Sequence, residues 1–448
     1  MTSSLEFRTQ AEGFVRGRVT HISGRKVIDI DARGGERSGA LLPADGHSIA
    51  AGLNHAFEER LPVVLRLASA GADVDEGVAA LDGWATAARQ MSRCSGVVPM
   101  IVVATGPNVS GPALMLGLAD VVIMTTSSYA FVVGPHMVER FTGVPVDRDE
   151  LGGALTHSRM SGVASIVVAD ESQTDELVAE LLEHLPDHNG ADPPGRPTFD
   201  SVDRPTPDAY DVLPPTPTGS YDVRDILEVI VDDGHLLELH TDWAPNLVTA
   251  FAFMGGRSIG LVANQPRSVA GTLDITSSRK GGRFVAMCDA FNIPLVTVVD
   301  TSGFYPGKDL EWRGMIRYGA QLAFAYARAT VPRVNLTVRK SYGGAYIVMD
   351  SKPMGNDVAL AWPSAEIAVM GARGAVEVLH RKADPAERAE LEAAYEARLL
   401  NPYVAAERGT IDAVIDPADT RREIAAALEM LSSKRERLPR RRHDNSPL

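Results

Sequence analysis

The chain has 448 residues, 45% of them apolar and 23% charged, which suits two or three ordinary globular domains. A formal net charge of −14 argues against wrapping nucleic acid and against loose adhesion to anionic membranes. The cysteines Cys94 and Cys288 are too few for a disulfide framework or a four-thiolate zinc site, and no clustered histidines replace them, so a reducing, metal-free cytoplasmic setting is expected.

The N-terminal MTSSLEFRTQ carries acid early and lacks a continuous apolar core, so it does not read as a signal peptide, and no later apolar run is long enough to span a bilayer. The first predicted strand, "LPVVLRLASAG" from Leu61, ends in small residues. "VVPMIVVATGPNVSGPALMLGLADVVIM" from Val97 reads as strand, small-residue turn, apolar helix and strand, and "SYAFVVGP" closes the series at Pro135. From Gly190 to Ser220 prolines replace large aliphatics, which predicts an ordered or semi-extended linker.

Beyond it the scheme repeats at an offset of roughly 230 residues, far longer than a solenoid period. "IPLVTVVDTSG" begins at Ile293, "TVPRVNLTVRKSYGGAYIVMDSKPMGNDVALAW" at Thr330, and "AEIAVMGA" ends at Ala372. "PVVLRL", "MIVVAT", "PLVTVV" and "RVNLTV" are nearly continuous in apolar or β-branched residues, as strands covered on both faces are. Alternating strands and helices predict an α/β fold in two similar domains. From Gly374 a charge-rich amphipathic helix or helix pair follows, and from Lys434 a charged tail read as solvated.

Glycine and alanine at a strand-to-helix junction let a ligand approach bare backbone, where the free amides of the helix start favour negative charge. Amides around Ser110 and Gly111 in the first half, and Gly344 and Ala345 in the second, are therefore candidate oxyanion donors for two carbonyl-bearing ligands.

At these residues the chain resembles a known family. "VANQPRSVAGTLDITSSRKGGRFVAMCDAFNIPLVTVVDTSGFYPG", "RKSYGGAYIVM", "AWPSAEIAVMGARGAVEVL" and "NPYVAAERGTIDAVIDP" are similar to the carboxyltransferase β subunit of biotin-dependent acyl-CoA carboxylases, the propionyl-CoA carboxylase type. The similarity runs from about Tyr221 to the C-terminus. It continues in the first half from about Leu61 to Asn189, through "SGVVPMIVV", "GPHMVERFTG" and "LGGALTHSRMSGVA".

The resemblance implies two tandem crotonase-like domains of ββα-type repeats, at residues 1–190 and 221–435, with the linker at 191–220 and a basic tail at 436–448. It implies a homo- or hetero-hexamer, a partner α subunit with biotin carboxylase and biotin carrier functions, and biotin held on a carrier lysine. Acyl-CoA, the thioester substrate, would lie on the first domain and carboxybiotin on the second. By carry-over, the Gly344 and Ala345 amides hold the biotin carbonyl and those of Ser110 and Gly111 the thioester carbonyl. Gly343, Tyr346, Ile347, Gly303, Phe304 and Gly71 line the substrate sites. Carboxybiotin would supply both carbon dioxide and the base, so no side-chain acid or base is needed.

Departures cluster in the first half. Asp73 stands where an arginine is expected, either repelling a CoA phosphate or sitting exposed on a loop. Pro112 removes an amide from the turn "NVSGPA". In the second half Ile347 replaces an aspartate of propionyl-selective relatives, as in members that also accept acetyl-CoA, and Ser302 replaces a proline. His157 reads as a structural loop residue rather than a catalytic base, and Arg279 and Lys280 as contacts to phosphate or to acids of the biotin carrier, or as helix caps. The leading expectation is a carboxyltransferase acting on acetyl-CoA or propionyl-CoA. The alternatives are an accessory paralogue with a decayed CoA half and an acyl-CoA decarboxylase.

Overall fold

The computed structural model describes residues 5–7, 12–216, 218–436, 438–440 and 442–447. The chain divides into two compact units. The first comprises residues 1–194 with 240–243 and 290–292, and the second comprises 195–239, 244–289 and 293–448.

The first unit holds an eight-stranded sheet of β1 (Leu5–Phe7), β2 (Arg16–Ile22), β3 (Arg25–Ala32), β4 (Val63–Ser69), β5 (Met100–Val109), β6 (Val121–Thr125), β7 (Tyr129–Phe131) and β8 (Ile166–Val168). Its order is β1-β2-β3-β4-β5-β6-β8, with β7 also paired to β5. The first three strands are antiparallel, and from β3 onward every pairing is parallel. Strands β4 and β6 and the first half of β5 are buried on both faces, which their unbroken Val, Ile and Leu runs predict.

The second unit repeats this plan with β9 (Leu237–Leu239), β10 (Leu247–Met254), β11 (Arg257–Asn264), β12 (Leu295–Thr301), β13 (Arg333–Tyr342), β14 (Val358–Ala361), β15 (Glu366–Ala368) and β16 (Ala413–Val414). Here β10 and β11 form the antiparallel hairpin and β15 is the extra partner of β13. The repeat extends to irregularities. The β4–β5 ladder shifts register between Leu67 and Ser69, and the β12–β13 ladder shifts between Val299 and Thr301.

In the first unit the helices Pro43–Glu59 and Val78–Cys94 cross at a glycine pair. A Cβ on Gly46 would come within 2.1 Å of Gly83, so only bare backbone permits the contact. Residues 195–216 and 218–220 pack as part of the second unit. Thr206 donates its hydroxyl to Pro417 O at 3.1 Å, and Arg421 donates to the carbonyls of Asp200 and Ser201. The helix pair foreseen after Gly374 is Ala372–Leu379 and Pro385–Leu399, the second capped by Asp384 through the amides of Ala386 and Glu387. Residues 437, 441 and 448 of the tail lie outside the described residues.

Candidate functional site: paired glycine bends

In each unit two bends come together beyond the C-terminal ends of the central strands. The first follows β4 and β12. The Gly71 amide donates to Ser69 Oγ at 3.1 Å, and the Gly303 amide to Thr301 Oγ1 at 3.4 Å. Gly71 and Gly303 adopt φ of 118° and 135°, which side chains rarely allow. Their carbonyls accept from the amides of Leu41 (2.8 Å) and Leu273 (3.0 Å), whose own carbonyls accept from Asp73 (2.9 Å) and Tyr305 (2.8 Å). The amides of Ala72 and Phe304 consequently face away from that partner strand, as alternate residues of a parallel bridge must.

The second bend follows β5 and β13. Val109 pairs with Phe131 and Tyr342 with Ala368, and the next residues, Ser110 and Gly343, both turn to positive φ, 62° and 60°. Ser110 is therefore the counterpart of Gly343, Gly111 of Gly344, and Pro112 of Ala345. This corrects the pairing expected from sequence by one residue. The Ser110 amide is also not free, because it donates to Phe131 O at 2.9 Å. Of the two proposed first-half amides only that of Gly111 remains, at the first position of the helical turn Gly111–Ala113, where no intrahelical acceptor exists. Gly111 must be glycine for space: a Cβ there would lie 2.4 Å from the Trp84 ring.

In the second unit Gly344 and Ala345 lie in the first turn of the helix Gly343–Val348, with amides likewise lacking helical acceptors. Gly344 is exposed and Ala345 is buried. Phe304 backs the turn, its ring 3.3 Å from where a Gly344 Cβ would be. Ile347 is exposed on the same helix. Tyr346 is partly buried against the core of Ala359, Ala361, Ala365 and Ile367, and burial raises its phenol pKa.

Asp73 fulfils neither alternative foreseen for it. It is buried, accepts from Arg37 Nη1 at 2.7 Å and from the Asp75 amide at 2.9 Å, and so presents no bare charge. Both ring nitrogens of His157 are engaged. A carbonyl can only accept, so Nε2–H donates to Ala130 O at 2.7 Å, and Nδ1 lies 2.7 Å from the Ser161 hydroxyl. Because Ala130 lies on β7 beside Asn108, this bond steadies the strand that holds the Ser110 amide. Lys280 is buried with Nζ 3.5 Å from Ala244 O, while the Arg279 guanidinium lies over the Tyr318 ring.

Sequence reasoning overlooked a charged clamp beneath the second-unit bends. Asp300 Oδ2 accepts from Arg339 Nε and from the Tyr221 hydroxyl, each at 2.9 Å, and Oδ1 accepts from the Lys340 amide at 3.1 Å. Burial and then the Asp300 carboxylate hold the Tyr221 phenol well above its ordinary pKa. The clamp ties the end of β12 to the end of β13 just before both chains bend. Its signal was an acid closing the apolar run "PLVTVVD" and an arginine following "RVNLTV". The equivalent first-unit pair is Ala68 and Gly106, joined only by close packing, with 3.2 Å from a built Gly106 Cβ to Ala68 Cβ.

A twin α/β architecture in which bends at the strand ends carry helix-start amides without helical acceptors defines a class of proteins whose backbone is suited to negative charge on a carbonyl oxygen. The family model described as the carboxyl transferase domain matches residues 11–446, and the chain belongs to that family. The chain is 42% identical over 450 residues to the propionyl-CoA carboxylase carboxyltransferase subunit of Haloferax mediterranei, covering 99% of this chain and 87% of that protein. It is 40% identical to the methylmalonyl-CoA decarboxylase subunit alpha of Propionigenium modestum, covering 97% and 84%. Its fold matches the solved transcarboxylase 12S hexamer with methylmalonyl-coenzyme A and methylmalonic acid bound, at a TM-score of 0.96 and 39% identity, covering all of this chain and 90% of that one.

Proposed function

We propose that the chain transfers a carboxyl group between biotin and the α carbon of a short acyl-CoA, acetyl-CoA or propionyl-CoA, as the carboxyltransferase subunit of an acyl-CoA carboxylase. The observation that carries this reading is one bend built twice, each time with a positive-φ residue at the strand end, Ser110 or Gly343, and an acceptor-free amide at the helix start. In this reading the two units are crotonase-like domains. The second-unit turn, with open space beside Gly303 and an exposed Gly344, suits the ureido oxygen of biotin. Biotin, carried on a lysine of a partner subunit, supplies the carboxyl group and a basic ureido nitrogen.

The protein's own residues do the rest. The Gly344 and Ala345 amides stabilise negative charge on the ureido oxygen, and the Gly111 amide stabilises the enolate oxygen of the thioester. Gly71 and Gly303 bring the strand ends close, Phe304 fixes the Gly344 turn, and Ile347 faces the acyl chain. The accessory reading loses one of its motives, because Asp73 is already neutralised by Arg37.

The likeness to a methylmalonyl-CoA decarboxylase subunit supports a second reading, the same carbanion chemistry run towards carbon dioxide release. Titration with acetyl-CoA, propionyl-CoA and longer thioesters, followed by transfer from methylmalonyl-CoA to free biotin, tests both. Saturable binding with carboxybiotin formation is expected. Carbon dioxide release without carboxybiotin would favour decarboxylation, and no binding or turnover with any thioester would overturn both readings.

A further inference from the structure

The two copies of the second bend differ in their donors. In the second unit the positions after the positive-φ residue are Gly344 and Ala345, both carrying amides, whereas in the first they are Gly111 and Pro112. Proline has no N–H, so the first-unit turn has lost the donor that Ala345 supplies in its counterpart. Ser110 carries what Gly343 lacks, a hydroxyl.

Ser110 holds that hydroxyl at a backbone conformation, φ 62° and ψ −139°, that is essentially a glycine preserve and strains any other residue. Its side chain stands at the meeting of the two bends. A Cβ built on Gly71 would lie 3.5 Å from Ser110 Cβ, while one built on Gly303 would meet nothing within 4 Å. The space left open in the second unit is thus occupied in the first by Ser110. Its residue is exposed, and its hydroxyl has no hydrogen-bond partner among the described residues, while its amide is spent on Phe131.

We propose that the Ser110 hydroxyl donates to the thioester oxygen of acyl-CoA, restoring the second hydrogen bond that Pro112 cannot make. This rests on the carboxyltransferase reading above. A hydroxyl rotates about Cα–Cβ where an amide is fixed, so the site accepts a carbonyl oxygen placed slightly differently from that of the biotin side. The strained backbone is retained because glycine there would remove the donor.

The test uses four variants of the full chain: Ser110→Ala, Ser110→Gly, Pro112→Ala and the double variant S110A/P112A. Each is assayed by carboxyl transfer from methylmalonyl-CoA to free biotin and by the infrared carbonyl stretch of bound propionyl-CoA carrying a ¹³C thioester carbonyl. S110A is expected to lose on the order of 10²-fold in kcat, the usual effect of deleting one oxyanion donor, with its carbonyl stretch shifted towards the unbound frequency. S110G is expected to share that loss while melting at a higher temperature than the wild type, because its strain is relieved. S110A/P112A is expected to recover both rate and frequency, since alanine returns an amide to the place of Pro112. An S110A protein with unchanged kcat and unchanged carbonyl frequency, beside an active wild type, overturns this inference alone. A wild type that binds no CoA ester overturns it together with the functional reading.

Discussion

Ser110 and Gly343 occupy one place in two copies of a turn and share its positive φ, so the difference between them is first of all chemical, a hydroxymethyl group against a hydrogen. Other single residues act through burial. Asp350 is fully buried against Arg333 Nη1 at 2.7 Å and Asn356 Nδ2 at 2.9 Å. Asp350→Ala would strand the Arg333 guanidinium in the interior, and denaturant titration is expected to show a loss of about 3–5 kcal/mol. Burial pushes the Asp350 carboxyl up to about 6, against the opposing pull of Arg333. Its folded value lies above the unfolded 3.8, so the folded state holds the proton more tightly. Its share of stability is therefore full below pH 3.8 and is lost as pH rises through 6. Asp350→Asn is expected to remove that fall, seen as a wild-type minus variant stability difference that changes between those limits and is flat above them.

At the scale of elements, the bends depend on glycines that let one chain pass against another. Gly39 and Gly271 are counterparts at φ 75° and 66°, and a Cβ on either would sit 2.4 or 2.5 Å from the carbonyl oxygen of Ala68 or Asp300. Alanine at either position combines positive-φ strain with a backbone clash, and each is expected to cost more than about 1–3 kcal/mol in thermal or chemical denaturation. The clamp of Asp300, Arg339 and Tyr221 is present in the second unit, where Ala68 and Gly106 stand in the first. Arg339→Ala should therefore raise the KM for free biotin while leaving that for acyl-CoA within about twofold, and lower stability by roughly 3–5 kcal/mol because Asp300 loses its counter-ion. A rise in the acyl-CoA KM instead would show that the clamp serves the other half.

At the scale of the molecule, duplication predicts a division of labour that kinetics can separate. Gly111→Ala, which drives a methyl group against Trp84, is expected to impair acyl-CoA constants. Gly344→Ala, whose Cβ would approach Phe304, is expected to impair those for biotin. Each should lower kcat by roughly 10²–10³-fold if it displaces a donor amide. Equal effects of both variants on both substrates would contradict the division.

The sequence by itself determined the α/β class, the twofold plan, the strand runs in the stretches from Leu61, Val97, Ile293 and Thr330, and the glycine-rich junctions, because hydrophobic period and glycine content are local properties. What it did not contain was partnership between distant residues. That Ser110 matches Gly343 rather than Gly344 is fixed by the β5–β7 and β13–β15 registers, and that its amide is consumed is fixed by Phe131. Arg37 reaches Asp73, Arg339 reaches Asp300, and Tyr346 turns into a core only once the strands are assembled. A hydrogen bond depends on distance and direction in space, and those are set by tertiary packing.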